Sequence, residues 1–377
     1  MRLEAPVPGE ILQAIRAPFL ETPAETLDAP ILQPLGLLLD LVGETLRERL
    51  FIVQGDGPEA CLRADFTLPA LRAHIASGRP AGRYLYDGHA FRVAPRGSQR
   101  AEEFLQIGLE AFEKGDPALA DARMAALAWR ASIAGGRVDL RLLLGDVGLF
   151  GDFIAALEVA PPLAARLRRA FSTPRRLRAE LEAAVSGVDG RESGGRLAAL
   201  LSGLSEEAAT GVLEEIWAMA GIEPVGGRSA AEIVHRLAER SALAAAPRLS
   251  VEQAEMIRRF LAISGDPAEA LAEVAALVGG ASSGLAAACK AWERRLDALV
   301  DGGAPRDRIE FSTAFGRALG YYDGVLFEVR SDALGDDDPV AAGGRYDSLP
   351  ARLGASLSTG AVGCMVRPGL AWAGALQ

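Results

Sequence analysis

The chain has 377 residues, half of them hydrophobic, and sets 40 lysine and arginine residues against 50 aspartate and glutamate residues for a net charge of -10. The length allows two domains and the apolar content a sizeable core, which excludes global disorder. The acidic balance excludes a general nucleic-acid binder, whose face would be basic. Cys61, Cys289 and Cys364 form no CxxC pair, and His74, His89 and His235 are the only histidines. No disulfide framework, metal site or cofactor is therefore expected, and each histidine reads as a surface or core residue. Met1 to Glu10 lacks the apolar stretch of a secretory signal, and no window reaches bilayer-spanning length. The expectation is a cytoplasmic protein with no membrane contact.

In chain order, Glu10 to Leu20 has helical spacing, Thr26 to Leu32 is extended and interrupted by Pro30, and Gly36 to Leu50 is a leucine-rich helical block weakened by Gly43. Phe51 to Arg63 reads as a hairpin around Gln54-Gly55-Asp56-Gly57, and Asp65 to Ser77 returns to helical spacing. Arg83 to Val93 and Glu103 to Phe112 are strand-like. In the second of these, Gln106, Gly108 and Glu110 alternate with Leu105, Ile107 and Leu109, so one face is polar: a working surface or a solvated one. Asp116 to Ala134 is an alanine-rich helix opened by Asp-Pro, and Val138 to Leu144 alternates as a strand.

From Gly148 to Leu299 alanine, leucine and arginine dominate and no strand is expected. Arginines such as Arg166, Arg168 and Arg175 read as a solvated helix face ahead of a phosphate site. Strands return at Arg308 to Phe311, in the run from Gly316 to Val329, at Pro339 to Asp347, and in the glycine-rich end from Ser358 to Trp372. One sheet domain (1–147 and 304–377) carrying a helical insertion (148–303) explains this order better than two successive domains. Within 316–329, Arg317 and the pair Tyr321-Tyr322 precede a period-two pattern. If extended that far back, the tyrosines face opposite sides. Such a segment can place a cationic fork and a phenol over a sheet-floored pocket for a small ligand with a carboxylate and a hydrogen-bonding ring, or the tyrosines serve simply as strand residues.

Four blocks together resemble the catalytic domain of class II histidyl-tRNA synthetases. Leu62-Arg63-Ala64-Asp65-Phe66-Thr67 is similar to the stretch that holds the histidine amino group. Phe91-Arg92 with Gln106 and Glu110 beyond is similar to motif 2, Arg317 to Tyr322 to the histidine-specific Arg-Gly-Leu-Asp-Tyr-Tyr motif, and Ala342-Gly343-Gly344-Arg345-Tyr346-Asp347 to the glycine-rich strand. The resemblance implies an α+β fold, an antiparallel sheet flanked by helices, over residues 10–145 and 305–377. It further implies a homodimer built through the motif 1 region near Ala24 to Leu46.

The departures fall on the nucleotide side. Arg96 and Arg100 remain in the motif 2 loop but are followed by Glu102 and Glu103, carboxylates that would repel a triphosphate. Gly320 stands where the histidine motif has aspartate, and Arg367 is out of register with the motif 3 arginine. No anticodon-binding domain is expected after Trp372, and hence no tRNA. This combination resembles the regulatory subunits of short-form ATP phosphoribosyltransferase, a synthetase paralogue family acting in the first step of histidine biosynthesis. That resemblance implies no catalytic residues and a partnership with the short catalytic subunit in a hetero-octamer, which the chain would activate while carrying histidine feedback. L-Histidine would be held by Asp65 and Thr67 at its ammonium, with Glu110 in support. Gln106 and Tyr322 would read ammonium or imidazole, Arg317 the carboxylate or a ring nitrogen, and Arg92 and Tyr321 would line the pocket. The competing readings are a truncated enzyme that activates histidine for an acceptor other than tRNA and a stand-alone histidine-sensing adaptor.

Overall fold

The computed structural model describes residues 2–42, 44–55, 57–186, 204–220, 229–235, 248–279, 283–316, 321–335, 338–355 and 359–376. Its strands, in chain order, are β1 (Glu25–Thr26), β2 (Leu32–Pro34), β3 (Ile52–Val53), β4 (Ala60–Leu62), β5 (Gly82–Phe91), β6 (Glu103–Glu113), β7 (Leu140–Asp146), β8 (Ser264–Gly265), β9 (Ile309–Ser312), β10 (Val325–Ser331), β11 (Ala341–Arg345) and β12 (Gly360–Val366). Nine of them form one sheet in the order β1-β5-β6-β12-β11-β10-β7-β9-β8, and β2, β4 and β3 form a small second sheet. The large sheet is antiparallel except where β1 meets β5 and β7 meets β9. The α+β fold class expected from the sequence is the one observed.

Compactness divides the described chain into a unit of residues 1–156 and 259–377, and a second unit of residues 157–258. The sheet unit thus continues past 147 and resumes before 304, because the helices at those margins bury large side chains in it. Phe153 of α5, the fifth helix in the chain (Val147–Ala156), stacks on Phe260 at 4.3 Å, and Trp292 of the helix Ser283–Asp301 meets Phe311 edge-on at 4.9 Å. The two-residue strand β8 also lies between 148 and 299, too short to leave a period-two signal. In the second unit, Arg166 pairs with Glu180 while Arg168, Arg169, Arg175, Arg176 and Arg178 are exposed, a solvated helix face.

In the sheet unit, α4 (Pro117–Ile133) starts at Asp116, whose carboxylate accepts from the Ala118 N–H, with proline in the first turn as its Asp-Pro opening requires. Ala122, Ala125, Ala126 and Ala128 of this helix are buried, and such small side chains let it pack closely on the strands it crosses, β10 to β12. The opposite face of the sheet carries Gln106, Glu110 and Phe112. The leucine-rich block begins with α2 (Leu35–Val42) and continues as a 3-10 turn, Glu44–Arg49, with Gly43 outside the described residues. The hairpin expected between 51 and 63 is the β3–β4 pair, with Ile52 opposite Cys61.

Candidate functional site

The site is written into the sheet register. Tyr84, Glu110, Gly363, Gly344 and Leu326 are successive partners across β5, β6, β12, β11 and β10 and share one face. Tyr86, Gly108, Met365 and Ala342 form the neighbouring row, and Gln106 lies opposite Gly88. The glycines are needed because larger side chains lie flat over them. A Cβ on Gly363 would sit 1.7 Å from Glu110 Oε2, and one on Gly344 would sit 2.8 Å from the Tyr322 ring. One on Gly108 would sit 2.3 Å from the Tyr86 hydroxyl.

Onto this floor the segment before α3 (Thr67–Ser77) brings Asp65 and Thr67, and the segment before β10 brings Tyr321 and Tyr322. With Arg92, Gln106 and Glu110 they line one cavity, so seven of the eight site residues expected from sequence are brought together. The eighth, Arg317, lies outside the described residues. Tyr321 and Tyr322 precede the strand, which starts at Val325. Their rings lie side by side, centroids 4.6 Å apart, instead of facing opposite sides as an extended chain would place them. The polar face of β6 is no solvated surface: Gln106 is 1% and Glu110 2% exposed.

Thr67 Oγ1 donates to Glu110 Oε1 at 2.8 Å, and the Tyr346 hydroxyl donates to Oε2. Burial pushes the Glu110 carboxyl up to about 8, against the lowering effect of those two hydroxyls. Asp65 is also raised by burial, only partly offset by the Arg92 charge and by the Tyr321 hydroxyl, which reaches its Oδ2 at 3.4 Å. Both amide atoms of Gln106 are buried without a hydrogen-bond partner among the described residues, an arrangement that favours a polar ligand. The free volume is about 20 Å³, room for about one water molecule. Tyr321 and Tyr322 lie outside the strand ladders. Two wall residues were missed as site residues by sequence reading, Tyr86 and Tyr346. Tyr346 stands inside the glycine-rich motif and could have been found there, while Tyr86 becomes visible only from its pairing with Gly108.

Arg92 also borders a second cavity of about 340 Å³, where Arg100, Arg330 and Arg367 meet Glu328 and Asp338. Three of the guanidinium groups there, those of Arg100, Arg330 and Arg367, are held by the chain's own carboxylates. Arg367 pairs with Glu4 through Nε at 2.9 Å and with Asp338 at 3.3 Å, Arg100 pairs with Asp338 at 3.2 Å, and Arg330 with Glu328 at 2.8 Å. Glu102 and Glu103, expected to face a triphosphate, turn elsewhere: Glu102 accepts from the Arg2 N–H and Glu103 pairs with His89. The carboxylates at the cavity are Glu328 and Asp338, supplied by β10 and the approach to β11.

The sheet, its glycine floor and this pocket define a class II synthetase-like protein of the histidine type. The family profile described as Histidyl-tRNA synthetase matches residues 25–215 and 208–367. A crystal structure described as ATP phosphoribosyltransferase regulatory subunit/histidyl-tRNA synthetase from Bacillus halodurans superimposes with a TM-score of 0.62 at 20% identity, covering 97% of this chain and 78% of that one. Histidyl-tRNA synthetase from Nostoc sp. gives 0.59 at 16% identity, covering 97% and 72%. Proteins of Mesorhizobium japonicum (36% identical over 358 residues, 92% of each chain) and Brucella anthropi (33% over 360 residues, 94% of each) are both named ATP phosphoribosyltransferase regulatory subunit. The chain belongs to the ATP phosphoribosyltransferase regulatory subunit family, whose fold is that of the histidyl-tRNA synthetases.

Proposed function

We propose that this chain is the non-catalytic regulatory subunit of a short-form ATP phosphoribosyltransferase. It associates with the short catalytic subunit, activates it for the first step of histidine biosynthesis, and carries the feedback signal of L-histidine bound at the Asp65–Glu110 pocket. The observation that carries this reading is the contrast between two neighbouring cavities. One keeps buried carboxylates and an amide with no hydrogen-bond partner among the described residues, while Arg100, Arg330 and Arg367 of the other are paired with internal carboxylates. A pocket without nucleotide chemistry still regulates if its ligand binds one quaternary state better than another.

The assembly is a hetero-octamer cytoplasmic in location, with the chain self-associating as a dimer through the Ala24 to Leu46 region and binding no tRNA. Ile31 and Leu32 in that region are 50% and 54% exposed, an apolar surface suited to a second copy. No helix among the described residues is long and apolar enough to cross a membrane. The purified chain is expected to give no histidine-dependent exchange of pyrophosphate into ATP, measured with labelled pyrophosphate. Exchange above the protein-free rate would make it an activating enzyme and overturn the reading.

A further inference from the structure

Five arginines crowd one end of a helix pair in the second unit. The helix α6 (Pro161–Ala170) ends on Arg168 and Arg169, and α7 (Pro174–Ser186) carries Arg175, Arg176 and Arg178 near its start. Three residues join the helices, and the Thr173 N–H closes the turn on the Ala170 carbonyl at 2.9 Å. The end of α6 and the start of α7 therefore share one tip. Leu163, Leu167, Phe171, Leu177 and Leu181 are buried, which leaves the five arginines on the exposed faces. No aspartate or glutamate stands between Arg168 and Arg178, and the next carboxylate in sequence, Glu180, is held by Arg166 at 2.9 Å. Among the described residues none of the five arginines has an ion pair. In the sheet unit, by contrast, Arg83 pairs with Glu113, Arg141 with Glu310 and Asp332, and Arg295 with Asp121.

We propose that this tip docks the chain onto an acidic face of the catalytic subunit. The proposal rests on the regulatory-subunit reading and names the surface through which it acts. Two features of the tip oppose stability in the chain by itself. Five like charges within eleven residues repel one another. Arg175 and Arg176 also stand in the first turn of α7, where the positive end of the helix disfavours cations. Carboxylates supplied by a partner offset both, and guanidinium groups hold them through two parallel hydrogen bonds.

An acidic protein face fits the tip better than a nucleic acid does. The one aromatic residue between 157 and 186, Phe171, is 2% exposed, so the tip offers a base no ring to stack on. A phosphate backbone longer than the tip would run on over a chain of net charge -10, which repels it. A protein face can end where the arginines end. Charge matching of this kind sets the encounter rate and the register of the two partners.

The test is the affinity of the full chain for the purified short catalytic subunit, measured at low and at high salt. The expected result is binding that weakens as salt is raised, and a loss of about tenfold or more when Arg168→Glu and Arg175→Glu are combined. A melting curve matching the wild type shows that this double variant is folded. The comparison is Arg259→Glu with Arg306→Glu, exposed positions of the sheet unit, which makes the same charge change and leaves the affinity in place. Wild-type affinity in the tip variant would overturn the docking site while leaving the regulatory reading standing. Equal losses in both double variants would overturn it too, because the charge of the whole chain would then account for them. Binding of an RNA hairpin that the tip variant loses would replace the protein partner by a nucleic acid. A wild-type chain that does not bind the catalytic subunit at either salt overturns the regulatory reading, and the docking site falls with it.

Discussion

Replacing Asp121 by alanine is expected to destabilise the sheet unit by about 3 kcal/mol, the low end of what removing one partner of a buried ion pair costs. Asp121, on α4, is 2% exposed and stands between two arginines. Its Oδ1 accepts from Arg345 Nε at 2.8 Å and its Oδ2 from Arg295 Nε at 2.8 Å. These contacts tie α4 to the end of β11 and to the helix Ser283–Asp301. Without Asp121 the Arg345 guanidinium, only 7% exposed, keeps Asp347 at 3.0 Å and the Pro117 carbonyl, which limits the loss. Chemical denaturation measures the effect, and a double-mutant cycle with Arg345→Ala isolates the pair. A loss below about 1 kcal/mol would place the pair with ordinary surface ion pairs and contradict the account.

The second large effect is on the pocket. Gly363→Ala is expected to weaken L-histidine binding by about tenfold to a hundredfold, the scale of losing charge-assisted hydrogen bonds. The added methyl would meet the Glu110 carboxylate at 1.7 Å, so that side chain must swing out and abandon Thr67 and Tyr346. The backbone is extended there and pairs with Gly344 and Glu110, so the strand itself accepts alanine. Gly211→Ala is the control, because nothing lies within 4 Å of its added Cβ. Calorimetry with L-histidine on the two variants reads the difference, and equal affinity would remove the glycine floor from the account.

How much of this was legible in the sequence depended on whether a feature was local. The period-two runs in β5, β6 and β10 and the Asp-Pro start of α4 were visible because periodicity and capping act within a few residues. The polar alternation of Gln106, Gly108 and Glu110 was visible too, but its meaning waited on what covers it: Thr67 and Tyr346 arrive from 43 and 236 residues away in sequence. The same distance hid Tyr86 as a wall and the Asp121 cluster as a joint, since Arg295 and Arg345 are 174 and 224 residues from it. Arg367 looked misplaced for gripping a nucleotide, and the structure gives it structural partners, Glu4 and Asp338. For Tyr321 and Tyr322 the sequence left open whether they line a pocket or serve as strand residues, since aromatics favour strands; the ladder starts only at Val325, and the pair packs ring to ring before it.

The most direct test of the central claim is the rate at which the short catalytic subunit joins ATP to phosphoribosyl pyrophosphate, measured with and without this chain and across an L-histidine titration. The account predicts no rate from this chain alone and a raised rate when it is added to the catalytic subunit. It also predicts that L-histidine lowers that rate in the wild type and loses potency with Gly363→Ala. A catalytic subunit whose rate is unchanged by the chain, with no shared elution between the two, would contradict it.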